Sequence, residues 1–233
     1  LIEIVYEDAE LLAVNKPAGL LVHRSKIAAD EDDFLLERLY AQTGHSALHL
    51  AHRLDRATSG VVLLAKSRVI AGELGRQFMA RDIVKRYLAV VRGWPAAEGI
   101  IDYPLPDVRE HAPRKPALTH WRTLATTTVP IALGKYPEQR YALVEVRPET
   151  GRYRQIRKHF HHVSHHLIGD TSHGRGDHNR LWRMHLRVHR LMLHAWRLEL
   201  VHPLSGAALT FQASLDETWR QVLERFGWQD AIA

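Results

Sequence analysis

The chain has 233 residues, enough for one large domain or two small ones with a sizeable core. It contains no cysteine, which excludes disulfides and thiolate catalysis and removes the usual zinc ligands; no apolar run is long enough to span a bilayer, and the opening LIEIVYEDAE lacks the form of a signal peptide. A formal net charge of +6, with 17 histidines besides, favours a polyanionic partner over a membrane, and a cytoplasmic location fits the missing thiols.

In chain order, IEIVYED and LLAVNKPAG are short apolar runs that read as a strand pair ended by Pro17 and Gly19. DDFLLERLYAQTG has helical spacing at Leu35, Leu36 and Leu39, with Gly44 as its stop. GVVLLAK is a buried strand, and Ser67 caps a helix whose Ile70, Leu74 and Phe78 share one face. RYLAVVRG is the next strand. LPDVREHAPRKPALTH, with three prolines and mixed charge, reads as an exposed loop. THWRTLATTTVPIALG and RYALVEVRP are β-rich and joined through KYPEQ. GRYRQIRKHFHHV follows as a helix and GDTSHGRGDHNR as a loop, while LMLHAWRLEL and ALTFQA complete the strands. Ser214 and Glu217 are spaced as a capping box before WRQVLERF, which Gly227 ends. Strand pairs interrupted by helices give an α+β fold with a mixed, largely antiparallel sheet. Without a linker or repeat, residues 1–233 read as a single catalytic domain, with no separate N-terminal RNA-binding domain and a monomer as the favoured state.

The chemistry concentrates in HRLDRATSG, residues 52–60, where Asp55 lies between Arg53 and Arg56 just ahead of a buried strand. A loop feeding a strand end is where reactive groups are commonly presented. A neighbouring guanidinium favours the ionised carboxylate, which suits a nucleophile or base rather than a proton donor. A surface salt bridge is the plainer alternative. Basic and aromatic residues interleave in GRYRQIRKHFHHVSHH and in GRGDHNRLWRMHLRVHR, a composition suited to phosphate contacts and base stacking, or simply to a solvated face. His161, His162, His165 and His166 include i, i+4 pairs that could chelate zinc, but no carboxylate or cysteine partner accompanies them and no metal site is assigned.

HRLDRATSGVVLLAKS resembles the signature of the RluA-type pseudouridine synthases, which isomerise uridine to pseudouridine within RNA. Further segments resemble the family's landmarks in family order: NKPAGLLVH, KRYLAVVRG, ETGRYRQIRKHF, IGDTSHG and LMLHAWRLELVHPLSG. Together they run from about Ile4 to Leu209. The resemblance implies the pseudouridine synthase fold, no cofactor and no metal. It implies Asp55 as the catalytic aspartate and Arg53 as the residue that helps displace or replace the flipped base. Tyr87 would stack on the target uracil and is a candidate to remove the C5 proton. Arg157 would pair with the catalytic carboxylate, and Ile156 would line the pocket under the base. Within the family, VHRS, YPLP, KYPEQRYALVEV and the tail DETWRQVLERFGW resemble the branch that acts on tRNA at uridine 65, with ribosomal RNA as the alternative. Arg154 stands where the family usually has histidine, Trp121 where tyrosine is common, and His173 where an aromatic is usual.

Arg154, Lys158 and Arg175 are the candidate RNA contacts of the basic rim. Two other classes compete. A non-catalytic RNA-binding protein would not need the set Asp55, Tyr87 and Arg157. A carboxylate-dependent hydrolase would need a second acid, and no second acid stands in these motifs.

Overall fold

The computed structural model describes residues 1–23, 32–106 and 112–232. The strands are β1 Glu3–Glu7, β2 Leu11–Lys16, β3 His49–Leu50, β4 Ser59–Ala65, β5 Val84–Arg92, β6 Glu98–Asp102, β7 Leu105–Pro106, β8 Arg114–Lys115, β9 Leu118–Val129, β10 Gln139–Pro148, β11 Leu193–Val201 and β12 Ala208–Gln212. The helices are α1 Leu35–Thr43, α2 Arg68–Ala80, α3 Gln155–His162, α4 Gly176–Leu186 and α5 Glu217–Phe226. The fold is α+β with a mixed, largely antiparallel sheet, and it divides into two compact units. No helix among the described residues is long and apolar enough to cross a membrane.

The first unit comprises Leu1–Lys85 and Ala195–Ser214. Its strands run in the order β1-β2-β4-β11, with β12 on β11 and β3 on β4. β2 and β4 pair antiparallel from Leu11 opposite Ala65 to Lys16 opposite Gly60. Every residue of β4 is buried, so neither face of this strand meets solvent. Alternate side chains (Leu11, Ala13, Val61, Leu63) join Ile70 and Leu74 of α2 and Phe211 of β12 in one core cluster, as the two-residue period of a strand requires. Ser67 caps α2 by accepting from the Ile70 N–H at 3.3 Å, and Gly44 ends α1 in the left-handed conformation.

The second unit comprises Arg86–His194 and Leu215–Ala233. Its strands run β5-β10-β9-β6. β9 and β10 form a long hairpin, from Gln139 opposite Val129 to Pro148 opposite Thr119. β5 pairs with β10 so that Tyr87 opposes Val146 and Arg92 opposes Tyr141. β6 is the outer strand, carrying exposed Glu98 and Asp102 at its ends. A Cβ on its Gly99 would fall 2.0 Å from the Trp121 ring of β9, so the indole occupies the place of a side chain. Buried Tyr141, Trp182 and Trp219 anchor α4 and α5 to this unit, Tyr141 and Trp182 meeting edge-to-face at 5.0 Å.

Several elements differ from the sequence expectation. The presumed loop 169–180 gives way at Gly176 to α4, whose Leu181, Trp182 and Leu186 are buried. The presumed loop 105–120 holds the small β7–β8 ladder and the start of β9; its residues 107–111, like Arg24 and Ser25 of VHRS, lie outside the described residues. The capping box before α5 does not form. Asp216 is the N-cap and accepts from the Trp219 N–H at 3.1 Å, while Ser214 turns to Glu3, at 2.5 Å. An aspartate one position before the helix reaches the third-residue N–H directly, which leaves Ser214 too far upstream to cap.

Candidate active site

Asp55 lies in the first unit, on the loop between β3 and β4. A turn closes immediately after it, the Thr58 N–H donating to the Asp55 carbonyl at 3.1 Å. Buried Leu54, Thr58 and Ser59 fix both flanks of the loop. Upstream, His52 ends the β3 ladder: its Nε2 accepts from the Leu63 N–H of β4 at 3.1 Å. Burial, with the nearby Lys85 charge, pushes the His52 pKa down to about 4. The ring is therefore neutral at pH 7, with its proton on Nδ1.

A buried ammonium ties this loop to the NKPAG turn. Lys16 is fully buried, and its Nζ donates to the carbonyls of Pro17 and Leu20, each at 2.8 Å, and of Arg56 at 3.1 Å. The Arg56 Nε returns a bond to the Gly19 carbonyl at 2.9 Å, and the Gly19 N–H donates to the Arg56 carbonyl at 2.8 Å. One of the two arginines flanking Asp55 is thus part of the scaffold, whereas Arg53 is exposed. Gly60 permits the close packing behind the loop. Its φ is +114°, and a Cβ there would sit 2.1 Å from the Ala195 carbonyl oxygen of β11.

The second unit presents the other candidates. Tyr87 is on β5, partly buried. The TGRYRQ segment enters α3 through Arg154, held in the left-handed region at φ 53°. Gln155 locks that entry: its Oε1 accepts from the Thr150 hydroxyl at 2.6 Å and the Arg152 N–H at 3.0 Å, and its Nε2 donates to the Leu118 carbonyl at 2.9 Å. Behind Gln155, Ile156 and Arg157 are buried.

Arg157 is gripped by Asp170. Nε donates to Oδ2 at 2.7 Å and Nη2 to Oδ1 at 2.8 Å, a bidentate pair with side chains 5% and 1% exposed. Oδ1 also accepts from the N–H groups of Ser172 and His173, both at 2.9 Å. Burial pushes Asp170 upward, but the Arg157 guanidinium and the two N–H donors outweigh it and hold the carboxyl below its ordinary range. Gly169, just before it, lets the Arg190–Leu191 backbone pack against this turn, since a Cβ there would fall 1.9 Å from the Arg190 carbonyl oxygen. Asn179 fastens the turn, accepting from the Gly169 N–H and donating to the Asp170 carbonyl, each at 2.8 Å. Asp170 stands in the IGDTSHG motif, so a second acid does exist among the motifs. Its oxygens are committed to Arg157 and to backbone donors, which makes it an anchor rather than a proton donor.

The rim residues fare differently. Tyr153 is exposed, with the Arg154 guanidinium 4.9 Å and the Lys158 ammonium 5.2 Å from its ring centre, an aromatic and two cations in one patch. Arg175 is exposed and bound to Asp177 through two hydrogen bonds of 3.2 and 2.7 Å. Among the described residues no group of three or more His, Cys, Asp or Glu is placed to hold a metal ion. His161 turns its Nδ1 to the His173 carbonyl, and His165 turns its Nδ1 to the Arg92 carbonyl, each at 2.9 Å.

Residues 10–162 match the family described as RNA pseudouridylate synthase. The chain belongs to that family. As an RNA pseudouridylate synthase it is an isomerase that converts uridine to pseudouridine. Over its whole length it is 44% identical to a tRNA pseudouridine synthase C of Vibrio cholerae serotype O1, covering 98% of that protein. It is 46% identical to the protein of the same name from Salmonella typhi, again over the whole chain and covering 92% of that protein. Among solved structures, the human protein titled RNA Pseudouridylate Synthase Domain Containing 4 superposes with a TM-score of 0.73 at 26% identity, over 96% of this chain and 92% of that one.

The matched span of the pseudouridylate synthase family contains Lys16, Asp55, Tyr87 and Arg157 but stops short of Asp170. Sequence reading singled out neither Lys16 nor Asp170. A lysine closing the apolar run LLAVNK, just before proline, was the available signal for the first. For the second, nothing in a 13-residue separation from Arg157 announces the pairing.

Proposed function

We propose that this enzyme isomerises uridine to pseudouridine in tRNA, at uridine 65. The single observation that carries the choice of RNA is full-length identity of 44–46% to proteins named tRNA pseudouridine synthase C. Asp55 is the reactive carboxylate. Tyr87 stacks on the uracil and takes the C5 proton, the role that its match to the family's KRYLAVVRG-type strand implies. Arg157, anchored by Asp170, is the basic partner of the catalytic acid. A guanidinium has five N–H donors, and the Asp170 carboxylate takes two of them. Arg53 fills the space left by the everted base, Ile156 lies under that base, and Arg154, Lys158 and Arg175 contact RNA phosphates. Residues 1–233 act as one catalytic domain.

The reaction breaks the bond from C1′ to N1, turns the uracil and joins C5 to C1′; the C5 proton leaves to base and N1 takes up a proton in its place. Atoms and electrons balance within the nucleotide. The carboxylate has two routes: attack on C1′ or C6, or removal of the C2′ proton to give a glycal. Because stacking hides the reacting atoms, the nucleotide leaves its helix at a cost of a few kcal/mol, offset by phosphate contacts and stacking.

Asp55→Asn is expected to abolish release of the C5 hydrogen to water while tRNA binding stays within about twofold, since the change removes a charge and almost no volume. Turnover equal to that of the unaltered enzyme overturns the assignment of Asp55. Pseudouridine mapping of total RNA with and without the protein tests the substrate. Modification confined to ribosomal RNA would replace tRNA as the target.

A further inference from the structure

The second unit holds a basic cavity of about 190 Å³ lined by Arg92, Lys135, Tyr136, Arg175, Asp177 and His178, among others. Along β5, Arg92 is five residues beyond Tyr87, roughly 17 Å at about 3.3 Å per residue. The cavity is therefore too distant to hold the nucleotide that meets Tyr87. Arg175, already proposed as a phosphate contact, is paired with Asp177 at its wall and so brings little net charge of its own. Among the described residues no carboxylate forms an ion pair with Arg92 or Lys135. Two positive charges thus face one cavity without internal compensation.

Both are held in place. Arg92 donates through Nε to Nε2 of buried His178 at 3.0 Å, and the other ring nitrogen of His178 meets the Tyr141 hydroxyl at 2.9 Å. An arginine can only donate, so His178 is the acceptor at Nε2 and carries its proton on Nδ1. Burial, followed by the Arg92 charge, pushes the His178 pKa down to about 4, which keeps it in that state at pH 7. Lys135 sits at the tip of a tight turn closed by reciprocal bonds between Leu133 and Tyr136, of 2.9 and 3.2 Å, with Gly134 at φ 60°. Held between the Tyr141 hydroxyl and Arg92, the neutral, buried His178 fixes the guanidinium at the cavity wall.

We propose that Arg92 and Lys135 bind a backbone phosphate of the RNA substrate at a point remote from the target nucleotide, with His178 as the residue that positions Arg92. The site rests on the assignment of RNA as the substrate and adds a second foothold, one that reads the folded RNA rather than the uridine. Its chemistry is that of a phosphodiester held by a bidentate fork and a point charge.

The test is equilibrium binding of tRNA across a salt series, with kcat and KM measured in parallel, for the unaltered enzyme, Lys135→Met and Arg92→Met. Each variant is expected to weaken binding about three- to tenfold and to lower the slope of log K against log salt by about 1, with kcat within twofold. His178→Gln is expected to raise KM and leave kcat unchanged. Lys135 is exposed on a turn, so its variant reports even if Arg92→Met does not fold. An unchanged salt slope and KM in Lys135→Met overturn the site, as does a fall in kcat at constant KM. If the unaltered enzyme makes no pseudouridine, the catalytic assignment fails on its own, and the binding slopes still decide the phosphate site. If it binds no tRNA, both fail.

Discussion

Lys16 carries an ammonium into a fully buried position and spends it on three backbone carbonyls. Two of them belong to the turn after β2 and one to the residue following Asp55. Its role is therefore mechanical: it sets the distance between two loops. Lys16→Met is expected to destabilise the protein by about 2–4 kcal/mol, because the Pro17 and Leu20 carbonyls lose their donor while the Arg56 carbonyl keeps only the Gly19 N–H. It should also lower kcat more than it weakens RNA binding. Urea unfolding and steady-state kinetics check both, and an unchanged unfolding midpoint would show that the carbonyls find other donors. At this scale the sequence was informative where a motif is contiguous, as in HRLDR, and silent where partners are far apart. Arg56 reads as an electrostatic neighbour of Asp55, yet its Nε grips the Gly19 carbonyl. Arg157 reads as the partner of the catalytic acid, and nothing in that reading announces its bidentate bond to Asp170. Spacing along a chain carries no record of such pairings.

The same holds at the scale of elements. Helix α3 is useful because of what surrounds it: Gln155 pins its entry to β9 through Leu118, and Asp170 pins Arg157 from the following turn. Asp170→Asn would leave a buried guanidinium facing an amide. The expected loss is about 3–5 kcal/mol, with turnover reduced even at temperatures where the fold survives. Chemical denaturation and single-turnover rates check this, and Arg157→Gln added to Asp170→Asn should recover part of the stability but none of the rate. Strongly periodic elements were legible beforehand, including α2 with Ser67, Ile70 and Leu74. Helix α4 was not, because Gly, Asp and His crowd its first turn and mimic a loop, although Leu181, Trp182 and Leu186 carry its apolar face. Strand β6 escaped notice because EGIID is short and contains a glycine whose missing side chain is supplied by Trp121. At the start of α5, two plausible caps compete, and the nearer one, Asp216, prevails.

For the whole molecule, several histidines are held neutral by burial, and this sets a pH dependence. His52 and His178 each fall from an ordinary pKa of 6.5 to about 4. Between those limits the unfolded chain binds protons that the native state refuses. Their contribution to stability is thus complete above about pH 6.5 and is lost progressively as pH falls towards 4. Each histidine contributes up to about 1.4 kcal/mol per pH unit inside that window. Urea midpoints measured from pH 7.5 down to 4.5 should fall accordingly, and His178→Gln should make the slope shallower by up to about 1.4 kcal/mol per pH unit. A flat profile would mean that these rings accept protons in the native state. The overall architecture was the most legible feature of all, since alternating apolar strands and amphipathic helices recur in an order that an α+β fold satisfies. The division into two compact units was not, because β5 and β11 each run from one unit into the other without any break in composition.

Strand β6 has a consequence for how this protein behaves in concentrated solution. An outer strand offers unpaired backbone groups to any other strand that drifts alongside, the first step toward ordered aggregation. Here that strand is five residues long, begins and ends with an acid, and has an indole laid over its glycine. A second copy approaching edge-on meets like charges at both ends of a very short ladder, so growth of the sheet beyond a single molecule is discouraged where it would otherwise start.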